Sequence, residues 1–230
     1  MSEGLRERKK RETRLRISDI ATGLFMMRGF DNVTVAEVAR AADVSVNTVF
    51  NYFPAKEDLL FDQQDEVQEL LGRVVRARRP GESAAEAVRR DFLDALDALD
   101  TGHYRYGLHE GSDVFTRMIS ASPALTARLR EMNELREQAL AKALTDETEA
   151  DPDDLTPGLV AGQICATLHT LMSYAARRML AGESAETIAP DLRRQTDLAF
   201  RLLESGVGDY CIRWEDITQA GGADTSRAIP

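Results

Sequence analysis

Thr34-Val35-Ala36-Glu37-Val38-Ala39-Arg40-Ala41-Ala42-Asp43-Val44-Ser45-Val46-Asn47-Thr48-Val49-Phe50-Asn51-Tyr52-Phe53-Pro54 decides the fold of this 230-residue chain. Thr34 followed three residues later by Glu37 is a capping box, in which hydroxyl and carboxylate satisfy each other's orphan backbone donors. Val33 and Val38 flank it as a hydrophobic staple. Val35, Val38, Ala39 and Ala42 then supply an apolar face of barely two turns. Ala42-Asp43-Val44 interrupts, Ser45 caps a second short helix, and Val44 with Val49 forms its staple. Phe53 continues the buried face until Pro54 closes it, because the residue before proline is pushed out of helical geometry. The stretch predicts two short helices joined by a three-residue turn, a unit able to lay its second helix in a major groove.

Many helical corners only pack, so the exposed face of the second helix carries the argument. With Val49 and Phe53 inward, Val46 and Phe50 share one outer position, and Asn47 and Asn51 share the next. Apolar groups meet thymine methyls, and Asn can hydrogen-bond adenine through N6 and N7. Ser45, Thr48 and Tyr52 offer hydroxyls of the kind that contact phosphate. Lys56 places a cation at an expected helix start, where it opposes the helix dipole unless a phosphate lies there.

Upstream, Ile17, Ile20, Ala21, Leu24 and Phe25 follow helical spacing, with Gly29 as the stop. Before them, Arg6, Arg8, Lys9, Lys10, Arg11, Arg14 and Arg16 outnumber Glu3, Glu7 and Glu12. This arm either tracks the DNA backbone or is a solvated helix start.

The whole chain carries a net charge of −10, which argues against an anionic partner until it is divided. Residues 1–60 hold ten Lys/Arg against nine Asp/Glu, and the rest hold 19 against 30. The acid lies beyond the reading unit, leaving that unit free to approach phosphates. Cys165 and Cys211 are too few and too far apart for a disulfide framework or a zinc ligand set, and with no apolar N-terminal leader the expectation is cytoplasmic. No His/Cys/carboxylate cluster has ligand spacing, so no metal and no cofactor are expected. Between Asp154 and Arg177 no residue is charged, yet Gln163, Thr167, His169, Thr170 and Ser173 suit hydrocarbon poorly, so the segment reads as a helix covered by protein rather than a membrane span.

Strand signals are nearly absent, and the expected fold is all-α, with about nine helices. A helix is expected from about Lys56 to Arg79 through Leu60, Val67, Leu71 and Val74. Ser83-Ala84-Ala85-Glu86 opens another with a second capping box, its inner face Val88, Phe92, Ala95 and Leu99. Thr101 to Thr116 reads as irregular, Ser122-Pro123 and Thr156-Pro157 as helix starts, and 185–205 as a last helix. The divisions are a DNA-binding domain over 1–55 with its arm at 1–16, a ligand-binding and dimerisation domain over 56–208, and a tail over 209–230.

Gly29-Phe30, Thr34 to Val38, Ala39, Ala41-Ala42, Val44-Ser45, Thr48, Tyr52-Phe53, Lys56-Glu57 and Leu59 together resemble the signature of TetR-family regulators. Asp43 and Asn47 stand where that family usually has glycine, and Phe50 where it often has tyrosine. Asp tolerates a left-handed turn, so the turn survives. The resemblance implies phosphate contacts from Thr34, Ser45, Thr48, Tyr52 and Lys56, and base contacts from Ala36, Val46, Asn47 and Phe50, with Asn51 on the same face. It also implies an Ω-like helical homodimer on palindromic double-stranded operator DNA, and a small-molecule effector.

Small residues in the uncharged segment, Gly158, Ala161, Gly162, Cys165 and Ala166, allow close helix approach, and Leu192, Ala199 and Leu202 join them as the expected dimer face. Phe92, Tyr104, Tyr106, His109, Phe115, Met118, Met132, His169, Met172 and Tyr174 are the expected pocket, being the aromatic, sulfur and polar mix found around small ligands. The function expected is regulated repression. An all-helical enzyme lacks an interpretable nucleophile and base, and an unregulated architectural DNA-binding protein fits poorly with the acidic second part.

Overall fold

The computed structural model describes residues 4–62, 64–98, 106, 112–207 and 212, and every α or β element among them is a helix. The first, α1, runs from Leu5 to Arg28, so the described part of the basic arm opens a single helix. Its exposed side chains are linked by a loose Arg8–Glu12 pair at 3.6 Å. Gly29 ends α1 by donating its N–H to the Phe25 carbonyl at 2.8 Å with φ at 82°, a conformation that favours glycine. A 3-10 turn over Phe30–Asn32 leads into α2 (Val35–Ala41), where both halves of the Thr34/Glu37 capping box form. Asp43 takes φ of 53° in the turn, as its tolerance for that region allows, and α3 spans Val46–Tyr52 from its Ser45 cap.

Ile17, Ala21, Phe25, Val38, Val49 and Phe53 are buried together as the core of this unit. The core passes the expected boundary at 55, taking in Leu59, Leu60 and Phe61 and, from far along the chain, Leu125 and Met132. The expected continuous helix over 56–79 is two pieces: a 3-10 turn at Glu57–Leu59 and α4 at Gln64–Arg76. Asp58 explains the break. Its Oδ2 accepts the Ala55 N–H at 3.0 Å, and its other oxygen pairs with Arg128 at 2.7 Å, so the chain turns before α4 begins.

The remaining elements are α5 (Ala84–Asp97), α6 (Ser112–Ala121), α7 (Pro123–Thr148), α8 (Thr156–Leu180) and α9 (Ala185–Val207). The Ser83/Glu86 capping box forms as expected. Two starts differ in detail. Ser122 does not cap α7 and instead donates its hydroxyl to Asp31 Oδ1 at 2.9 Å, tying α7 to the N-terminal unit. At α8 the cap moves upstream, Asp154 Oδ1 accepting the Thr156 N–H at 2.8 Å. α6 also overlaps the stretch expected to be irregular as far as Thr116. A second core fills the space among α4, α5, α7, α8 and α9, centred on Leu71, Phe92, Leu140, Ile164, Leu168 and Phe200. Among the described residues no helix is long and apolar enough to cross a membrane. Leu99, Tyr104, His109, Cys211 and the tail over 209–230, apart from Ile212, lie outside the described residues.

Candidate nucleic-acid interface and ligand cavity

The reading face of α3 is built by subtraction. Val49 and Phe53 are buried against α1, which leaves Val46 at 38% and Phe50 at 46% exposure, with Asn47 and Asn51 exposed beside them. Ala36 is exposed on α2. Thr34 and Ser45 are held at helix starts. The Thr34 hydroxyl accepts the Glu37 N–H at 3.2 Å and donates to its carboxylate at 2.8 Å, while Ser45 Oγ accepts the Thr48 N–H at 3.0 Å and lies 2.7 Å from the Thr48 hydroxyl. The Thr34 backbone N–H and then the Arg28 guanidinium hold the Glu37 carboxyl down at about 2. These bonds orient the face before any DNA arrives.

Lys56, expected to meet phosphate from a helix start, has partners within the protein. It precedes a three-residue 3-10 turn, and its ammonium donates to the Phe30 carbonyl at 2.7 Å while lying 4.1 Å from the Phe30 ring centroid. Burial lowers its pKa from the ordinary lysine value. The aromatic ring and carbonyl give the cation a partner inside the protein, so it works first as a clamp between the two 3-10 turns. Arg14, expected in the arm, works similarly: it donates to the Tyr52 and Asp62 carbonyls at 3.0 and 2.8 Å and covers the Phe53 ring at 4.7 Å. It therefore holds the end of α3, although its place in a charge run gave no hint of that.

A cavity of about 230 Å³ lies among α6, α7 and α8. Of the residues expected there, Tyr106, Phe115, His169 and Met172 come together. Four others do not. Phe92 is fully buried in the second core, its ring edge-on to Tyr106 at 4.9 Å. Met118 and Met132 pack into the N-terminal core, and the Tyr174 hydroxyl bonds Asp191 beside Arg178. For Phe92, Met132 and Tyr174 the aromatic or sulfur content that suggested a pocket serves packing or a polar network instead, while Met118 lines a separate cleft of about 360 Å³ between α6 and the turn at Phe30–Asn32. Leu129, Asn133 and Arg136 of α7 line the cavity and went unrecognised, although their spacing puts them on one helix face. The signal was there: Arg136 interrupts the apolar stripe Leu125, Leu129, Met132 and Leu140.

The residues expected at the dimer face divide between buried and exposed sides of their helices. Ala161, Cys165 and Leu192 are buried in the protomer's own core, where burial pushes the Cys165 thiol up to about 11. Gly158, Ala166 and Leu202 are exposed and Gly162 and Ala199 half-buried, and beside them stand Leu159, Leu198 and, at 76% exposure, Leu155. The uncharged segment thus has two apolar sides, one for its own core and one uncovered in the protomer.

A bihelical unit with an exposed second helix, fused to a helical domain with a partly open cavity, has the arrangement of a helix-turn-helix DNA-binding protein. The family profile of bacterial regulatory proteins, tetR family, matches residues 17–62, and that of the MftR C-terminal domain matches residues 82–208. The transcriptional regulator TcmR of Streptomyces glaucescens is 30% identical over 156 residues, covering 66% of this chain and 67% of that one. The transcriptional repressor KstR of Rhodococcus jostii is 26% identical, covering 78% and 80%. Among solved structures, NalD, a secondary repressor of a multidrug efflux pump in Pseudomonas aeruginosa, superposes with a TM-score of 0.52 at 19% identity over 82% of this chain and 97% of that one. A SmeT–triclosan complex does so at 0.51 and 16% identity, over 95% and 100%. The chain belongs to the TetR family of bacterial regulatory proteins and is a helix-turn-helix transcriptional regulator.

Proposed function

We propose that the chain represses transcription in the cytoplasm as a homodimer on a palindromic operator, α3 of each protomer in the major groove, and that a small molecule in the α6–α7–α8 cavity releases it. The carrying observation is the α3 face, where Val46 and Phe50 stand exposed beside Asn47 and Asn51 on a helix whose other side is locked by Val49 and Phe53. An exposed aromatic beside paired amides is a poor solvent face and a fitting groove reader. Pairing through the uncovered α8–α9 stripe, with Gly158, Gly162, Ala166, Ala199 and Leu202 now joined by Leu155, Leu159 and Leu198, sets two reading helices about 34–36 Å apart or a multiple of that.

Release has a physical route. Phe115, Ile119 and Leu129 line the cavity and also pack against the N-terminal core. The Ser122–Asp31 bond and the Arg128–Asp58 pair fasten the start of α7 to that unit. A ligand that wedges α6 from α8 therefore displaces the reading helices, provided it binds the displaced arrangement better.

A mobility-shift assay with the DNA upstream of the chain's own gene tests the reading. A retarded complex that survives nonspecific competitor at moderate salt, and that Leu159→Glu or Leu202→Glu weakens together with dimerisation, is the expected result. Binding with no sequence preference overturns it.

A further inference from the structure

Along α7, positions 125, 129, 132, 136 and 140 follow one face, and four of them carry Leu or Met packed into the two cores or the cavity wall. The remaining position is Arg136. A cation on such a face is costly unless it is paired. Its Nη2 donates to the neutral Asn133 Oδ1 at 2.8 Å, and its Nε is buried without a hydrogen-bond partner. No carboxylate forms an ion pair with it among the described residues, and no Asp or Glu is among the described residues lining the cavity, in a chain that has 39 of them. Among the described residues the rest of the lining, His169 apart, is apolar or neutral-polar: Phe115, Ile119, Leu129 and Met172 offer apolar surface from three helices, and Thr116 and Ser173 bring hydroxyls.

From this guanidinium, which has no carboxylate partner among the described residues, we infer that the effector is a small amphipathic carboxylate, its head on Arg136 and its hydrocarbon part against Phe115, Ile119, Leu129 and Met172. The assignment rests on the cavity being the effector site. A planar guanidinium matches a carboxylate through charge-assisted hydrogen bonds, about twice as strong as neutral ones. The cavity, about 230 Å³, falls below the usual span of roughly 300–1,000 Å³ for ligand sites, which suits a short acid and not an extended one.

Calorimetric titration of the full chain with octanoate, 4-phenylbutanoate and 1-naphthoate, each beside its primary amide, tests the head group. At least one acid is expected to bind about tenfold or more tightly than its amide, the margin one charged hydrogen bond supplies. Arg136→Gln should erase that preference, and Arg136→Lys should retain part of it, which keeps the test valid if the Gln variant folds poorly. Acids no better than amides throughout the panel, or a preference surviving both substitutions, overturns the inference. Operator retardation by the wild type and Arg136→Gln without ligand separates the two levels: retained DNA binding with no acid preference refutes the carboxylate alone, whereas no operator binding by the wild type refutes the regulator reading beneath it.

Discussion

The reading face of α3 and the cavity between α6, α7 and α8 are built on opposite plans. All the groups proposed to meet bases lie within residues 36–51, and the hydrogen bonds that orient them join residues three apart. The cavity takes its lining from residues 106 to 179, on helices that meet only after folding. The first surface is therefore a property of a short stretch of sequence, and the second a property of packing. Between them sit side chains that belong to both, Phe115, Ile119 and Leu129, and this sharing is the route proposed above from a filled cavity to the DNA.

The sharpest way to break the contrast is to remove the packing beneath the reading face. Phe53→Ala empties a fully packed position between α1 and α3, and is expected to cost about 3–5 kcal/mol in denaturant unfolding and to abolish operator retardation. Retention of tight DNA binding would show that the reading face does not depend on its core. Arg128→Met leaves Asp58 buried without its cation and is expected to cost about 3 kcal/mol, at the low end for broken buried pairs because Arg128 is partly exposed. It should also weaken the link by which ligand lowers DNA affinity; an unchanged ligand response in mobility-shift titrations would remove the pair from the route.

Asn47→Ala touches only the local plan. Discrimination at one operator position should fall by about 1–3 kcal/mol with the melting temperature unchanged, read by binding to single-base operator variants. A uniform loss across all sequences would reassign Asn47 to the backbone. The smallest effect is at the capping box, where Thr34→Ala should cost about 1 kcal/mol of thermal stability. Glu37 adds a pH signature. Because its carboxyl is held at about 2 instead of the ordinary 4.5, its stabilising contribution is complete above 4.5 and is lost as pH falls towards 2. Wild type and Glu37→Gln should differ at pH 6 and converge on acidification, and a gap that widens towards pH 2 would contradict the assignment.

The places where expectation and structure part follow the same division. Both capping boxes, the Asp43 turn and the inward Val49 and Phe53 were legible because each is decided by neighbours a few residues away. Lys56, Ser122 and Arg14 were read as if their partners were local or solvent. Each is claimed by a group distant in sequence: the Phe30 carbonyl, the Asp31 carboxylate and the Tyr52 and Asp62 carbonyls. The Met and aromatic residues expected in the pocket show a related error, since burial in core and burial around a ligand use the same residue types.

By itself, then, the sequence determined an all-helical chain, a bihelical DNA reader and the residues on its face, because helix starts, stops and amphipathic sides are encoded within one or two turns. Which side of α8 faces the chain's own core and which side stays exposed, and which side chains surround the cavity, only the tertiary structure decided. Helical periodicity shows that a face is apolar but not what covers it, and Arg136 acquires its meaning only when Phe115 and Met172, on two other helices, enclose the space beside it.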